Sequence, residues 1–224
     1  MDFLKLLRSF EDLLFELLSW VIYYPLTLWR VITRPLEMLR YSNHEETEAL
    51  KERYTDTLSP PLFLLVTIAL LHWLELAFGT YALPASTAIA RAITASDENL
   101  IIARSVLFAL LPLFAAWRYV SASGRPLDRK NLRPPFNGQC YLAAVYALLL
   151  SGAISTAKLH PGTIAIAAEL LAVAATGWYL AIQTQQFRAS LGCSTLRAAG
   201  LAVRSYLEAL FAFIAAALVI AGGI

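Results

Sequence analysis

Five stretches of the chain are apolar for close to twenty residues at a time: 61–80, 100–120, 138–157, 161–183 and 205–224. A bilayer's hydrocarbon core is about 30 Å thick and an α-helix rises about 1.5 Å per residue, so each stretch suits one crossing. Breakers or charge divide them: Asp97-Glu98-Asn99, the segment 124–135, Lys158-Leu159-His160-Pro161, and the segment 183–204. The third gap is short, and Pro161 with Gly162 predicts a tight turn there. The pattern upstream differs. Asp2, Lys5, Ser9, Asp12, Glu16 and Ser19 recur at steps of three and four, with Phe3, Leu7, Phe10, Leu14, Leu17 and Val21 on the opposite side. That spacing predicts an amphipathic helix over 1–24 lying in the membrane interface, the alternative being a helix packed on the spans or on a second copy. Its polar stripe is largely acidic, so burial of Phe and Leu, at roughly 1.5–3 kcal/mol for each fully buried side chain, drives the association.

Pro25 is expected to break this helix, and Tyr23, Tyr24, Trp29, Arg30 and Arg34 form an aromatic and basic belt suited to headgroups. Pro35 is expected to end a second short element. Ser42-Asn43-His44-Glu45 has capping-box spacing and predicts the start of a third helix, made water-facing by Glu46, Glu48, Lys51, Glu52 and Arg53. His44 has no Cys or second His at ligand spacing and reads as solvated. The charged segment 42–58 reads as a solvated face or as a docking surface for a cytoplasmic protein partner.

Composition sharpens the class. Of 224 residues, 58% are hydrophobic and 15% charged, and the mean hydropathy is +0.60. These values exclude a soluble domain, a disordered chain and a collagen. A net charge of +2 excludes a basic nucleic-acid binder. The basic residues report topology instead. Lys5, Arg8, Arg30, Arg34, Arg40, Lys51 and Arg53 precede the first span, Arg118, Arg125, Arg129, Lys130 and Arg133 follow the second, and Arg188, Arg197 and Arg204 follow the fourth. Against these fifteen of eighteen, the other side holds Arg91 and Lys158, with Arg104 inside a span. The positive-inside rule therefore predicts a cytoplasmic N-terminus and an external C-terminus. Cys140 and Cys193 then lie at the reducing face, where a disulfide is not expected. Acidic Asp2, Glu11, Asp12 and Glu16 suit neither region of a secretory signal.

Ionisable residues inside spans are costly and are the default functional candidates. His72, Glu75, Arg104 and Glu169 fall in the outer half of the membrane, His72 and Glu75 on one helical face. They form either a proton- or cation-coupled pocket opening outward or a structural ion pair of Arg104 with Glu75 or Glu169. Glu208 is placed to reach headgroups or Arg204. Arg30, Arg34, Arg125, Arg129, Lys130 and Arg133 are candidate contacts for anionic lipid headgroups, beyond their topological role. Gly152, Ala153, Gly177, Ala215, Ala216 and Ala217 allow close helix approach, and Pro112 predicts a kink in the second span. No phosphate loop, nucleophile elbow, metal-binding Cys/His pair or paired-acid motif is present, so no catalytic residue, cofactor or metal is assigned.

Two segments resemble the YIP family, membrane proteins that interact with Rab GTPases, and their bacterial relatives. Val21-Ile22-Tyr23-Tyr24-Pro25-Leu26-Thr27-Leu28-Trp29-Arg30 resembles the family's aromatic and proline entry segment. Leu191-Gly192-Cys193-Ser194-Thr195-Leu196-Arg197-Ala198, running into 205–223, resembles the small-residue turn before its last span. The resemblance implies five spans, a cytoplasmic N-terminus and a role in membrane organisation, with GTPase partners in eukaryotes. Bacterial relatives carry a permease label without a demonstrated substrate.

The expectation is an all-α polytopic membrane protein, with interfacial and cytoplasmic helices over 1–60 and a five-helix domain over 61–224. The expected role is a non-enzymatic scaffold or accessory protein of a bacterial inner membrane, contacting lipids and a cytoplasmic partner. The rival is a small permease or channel, homo-oligomeric because five spans make a slender path. A third reading is an intramembrane enzyme using His72 and Glu75.

Overall fold

The computed structural model describes residues 2–48, 53–80 and 87–221, apart from the side chains of 2–9, 12, 13 and 221. Much of the charged stripe of 1–24, Lys51, Glu52 and the last three residues therefore lie outside the described set. The described chain is all-α: α1 (Asp2–Thr33), α2 (Pro35–Glu45), α3 (Pro60–Ala77), α4 (Ala88–Ile93), α5 (Asp97–Phe108), α6 (Leu110–Ala122), α7 (Arg129–Leu159), α8 (Thr163–Leu191) and α9 (Thr195–Ala221). Five helices are long and apolar enough to cross a membrane: α3, α5 with α6 as one interrupted span, α7, α8 and α9. The chain is thus an integral membrane protein. These spans run up and down, so α1, α2 and the start of α3 share one end of the bundle, and α4 and the end of α7 share the other.

Helix α7 is the centre. It packs against α3, α6, α8 and α2, and Tyr141, Leu142, Ala143, Ala144 and Ala147 along it have no exposed surface. Alanines at consecutive turns let neighbouring backbones come close, the means by which helices associate when lipid is as apolar as leucine. Val31, Met38, Leu39 and Leu58 join the same buried cluster as Phe63, Ile68 and Tyr141. Polar bonds fasten that junction: the Thr27 hydroxyl accepts from the Leu58 amide at 3.1 Å, and the Tyr141 hydroxyl donates to the Leu58 carbonyl at 2.7 Å.

Several local expectations are overturned. Pro25 does not break the first helix; α1 runs through it as one 32-residue element. A helical proline forfeits one backbone bond, and here Val31 and Thr27, both fully buried, hold the continuation onto the bundle. As expected, the helix before Pro35 ends there, at Thr33, and Pro35 also begins α2, because its fixed φ and missing N–H suit a first helical position. Ser42-Asn43-His44-Glu45 closes α2 instead of opening a helix, and the Ser42 side chain is buried against Tyr54. The basic segment after the second span is largely helical, because Asp128 caps α7 by accepting from the Asn131 amide at 2.8 Å. Likewise the fourth gap shrinks to a turn at Gly192, whose φ of 60° ends α8 in the left-handed region. Asp97, Glu98 and Asn99 form the first turn of α5 rather than a break, capped by Ser96.

Where a kink is expected at Pro112, the helix is interrupted one turn earlier. The chain divides into α5 and α6 at Ala109, and Pro112 cannot donate to the Phe108 carbonyl across that joint.

Candidate functional site

The intramembrane charges resolve into separate pairs on different helices. At the α4 end, Arg104 of α5 grips Glu75 of α3 through both oxygens, at 2.7 and 2.9 Å. Both side chains are about five-sixths buried, at 16% and 15% exposure. Such a fork-to-fork pair fixes geometry as well as charge. His72, one turn earlier on α3, is fully buried and meets Asp97 at the start of α5 at 3.3 Å. Two ties therefore join α3 to α5. Glu169 is exposed on α8 and does not join Arg104; it lines a separate hollow with Lys158. The four candidates thus do not meet as one cluster.

Beside the Arg104–Glu75 pair lies a cavity of about 360 Å³ between α3, α4, α5, α7 and α9. Leu100, Leu107, Phe108, Ile154 and Phe213 make its walls, and Thr80, Thr94, Ser155 and Lys158 its polar lip.

Nearer the other end, Glu208 of α9 takes a second fork from Arg118 of α6, with a contact of 2.5 Å from Arg118 Nε, and a further bond from Arg204 at 3.1 Å. Arg118 is only 16% exposed, so it ties two spans together as well as marking a side.

At the α1–α2 end the carboxylate of Glu46, expected to face water, is turned inward with 6% exposure. Arg53 reaches it at 3.1 Å, Arg133 at 3.4 Å and the Asn137 amide at 2.7 Å. Burial drives this inversion: a carboxylate removed from water requires cations and donors, and α7 supplies two of the three. Burial pushes the Tyr54 phenol beside it up to about 12, with Glu46 adding to the rise against the Ser42 hydrogen bond. Burial raises the nearby Tyr41 phenol as well. Its hydroxyl donates to Asp56 at 2.6 Å, and Arg30 adds an ion pair at 2.7 Å. Partial burial works to raise the Asp56 pKa, but these two partners outweigh it and hold the carboxyl below its ordinary value. Glu46, Arg53, Tyr54, Arg129, Arg133 and Phe136 border a groove of about 880 Å³ on this end.

No protein-family model, curated protein or solved structure matches the chain.

The six headgroup candidates divide. Arg30 pairs with Asp56, Arg34 lies 3.7 Å from Glu37, and Arg133 serves Glu46. Arg125, Arg129 and Lys130 are exposed, and among the described residues no carboxylate pairs with them. His44 is exposed and lies 3.5 Å from Glu48.

A buried amide network between α7 and α8 escaped the sequence reading. Gln139 Nε2 donates to Gln183 at 3.0 Å and to Gln186 at 2.5 Å, Gln183 donates back to Gln139, and Gln183 Nε2 reaches the Tyr179 hydroxyl at 3.1 Å. All four side chains are buried. The signal was available: Tyr179, Gln183 and Gln186 are spaced by four and three, one face of a helix. One turn away, Tyr146 bonds Tyr206 at 2.7 Å and Thr176 at 3.1 Å. These polar groups satisfy one another across three spans.

Proposed function

We propose that the chain is a non-enzymatic scaffold or accessory protein of the YIP-like type. It sits in a bacterial inner membrane with its N-terminal helices cytoplasmic and its C-terminus outside. The observation that carries this reading is that four ionised side chains within the spans bind one another across helices, Arg104 with Glu75 and Arg118 with Glu208. Charges matched in this way hold spans in register and are not free to move a substrate. Helix α1 adds support, since Phe15, Leu18, Val21, Ile22 and Trp29 are each at least two-thirds exposed along it. Such a face finds its cover in the interface of a bilayer. The exposed Arg125, Arg129 and Lys130 at the same end suit anionic headgroups. The face formed by α2 and residues 53–58 then remains for a cytoplasmic partner.

The test is a photoreactive side chain placed in living cells at exposed Asn43, Thr47 or Thr55, with exposed Thr163 at the opposite end as control. One discrete protein adduct from the first three positions and none from the control is expected. The rival, a small oligomeric permease, draws support from the cavity beside Arg104 and Glu75. Solute or ion flux through proteoliposomes of the purified chain, lost in Arg104→Gln, with no adduct at the α2 face, would replace the scaffold reading.

A further inference from the structure

The cavity at the α4 end has a composition that the scaffold reading does not use. Its long walls are hydrocarbon, from Leu100, Leu107 and Phe108 on the α5 side and Phe213 on α9. Its volume of about 360 Å³ lies within the range of pockets that hold small ligands. An empty apolar space of that size forfeits dispersion contacts on every wall. At its mouth the charges do not cancel. Both oxygens of Glu75 are occupied by Arg104, which leaves the ammonium of Lys158. That ammonium donates to the Thr80 carbonyl at 3.3 Å. A lysine carries three donors, and among the described residues no carboxylate lies within ion-pair distance of it. Glu169 shares a different hollow with Lys158 but makes no ion pair with it. Hydrocarbon walls ending in an uncancelled cation complement a molecule with an apolar tail and an anionic head. The bilayer surrounding the spans presents such molecules at this depth.

We propose that this cavity binds one acyl chain of an acidic glycerophospholipid, with the phosphodiester seated on Lys158. The chain lies along Leu107, Phe108 and Phe213, and the headgroup meets the ammonium and the lip formed by Thr80 and Thr94. The charge at the mouth sets the preference for acidic over zwitterionic lipid, and the walls set the requirement for a tail. The site is independent of any partner at the α2 face.

The experiment uses the purified full chain in phosphatidylcholine nanodiscs doped with phosphatidylglycerol bearing a diazirine on one acyl chain. After photolysis the adducts are mapped by peptide. Labelling is expected to concentrate on 100–108 and 213–220, and to be displaced by unlabelled phosphatidylglycerol more readily than by added phosphatidylcholine. Lys158→Gln lowers it roughly two- to five-fold, the scale of one partly exposed ion pair, and Lys158→Arg restores it. Ala217→Trp, which fills the cavity, removes it. Leu170 and Val173, on the lipid-facing side of α8 at 64% and 70% exposure, report ordinary boundary lipid in the same sample. Cavity labelling no higher than at these two positions overturns the proposal. So does less than a two-fold change in Lys158→Gln while the α8 labelling stays constant.

Discussion

Removing the Arg104–Glu75 pair one side at a time and then whole separates the energy of the pair from that of its members. Each side chain keeps only about a sixth of its surface exposed. A single change therefore strands a charge that water barely reaches. Breaking a fully buried pair costs about 3–5 kcal/mol, and the residual exposure here reduces that to about 2–4 kcal/mol for Arg104→Met or Glu75→Met. The double variant, Glu75→Met with Arg104→Met, strands no charge or polar group and replaces a charged pair by groups of similar volume. It is expected to lie within about 1 kcal/mol of the parent, so the two losses are strongly non-additive. The assay is equilibrium unfolding in mixed micelles with a rising fraction of denaturing detergent, followed by tryptophan fluorescence, for all four proteins. A coupling below about 0.5 kcal/mol, the level at which independent sites add, would refute the view that this fork holds α3 to α5.

Three further outcomes follow from the same geometry. Gln183→Leu leaves Gln139 and the Tyr179 hydroxyl each without one buried partner and is expected to cost about 1–3 kcal/mol in the same unfolding assay, whereas replacing all three glutamines by leucine together with Tyr179→Phe recovers most of that loss. Gly192→Ala puts a side chain at a φ of 60°, and a loss of about 1 kcal/mol is expected, with the fold otherwise retained by circular dichroism. Because the Asp56 carboxyl is held below the ordinary 3.8, its stabilisation is complete above that value and disappears as pH falls through the lower folded-state pKa. Asp56→Asn should therefore shorten protease protection of residues 34–58 at neutral pH and match the parent in strong acid; a difference that persists in acid contradicts the assignment.

The five apolar runs translated directly into spans because length and hydrophobicity are local properties that a bilayer reads one helix at a time. The boundaries did not. The 129–137 stretch is polar in composition, yet Asp128 caps it and the Glu46 carboxylate accepts from Asn137, so α7 starts well before its apolar run. The N-terminal third was least legible. A proline and a capping-box spacing are local signals, and here tertiary burial of Thr27, Val31 and Ser42 overrode both. Of the two partners left open for Arg104, the structure takes Glu75, which lies near the same end of an adjacent span. His72 met Asp97, a residue read as belonging to a break, and Glu169 could not be assigned a face because α8 is apolar on nearly every side. The glutamines went unnoticed because two of them lie at the margin of a span, where amides pass for loop residues.

The buried amides linking α7 to α8 also bear on the order in which the protein is made. Gln139 leaves the ribosome more than forty residues before Gln183 and Gln186, so its amide enters the membrane with its partners still unsynthesised. An isolated α7 carries that unmet polarity at a cost, and the cost vanishes once α8 arrives beside it. Insertion of the two as a hairpin, joined by the short turn at Gly162, is accordingly favoured over insertion in single file. The centre of the bundle is then completed before α9 emerges, and the last helix adds to a platform whose geometry is already set.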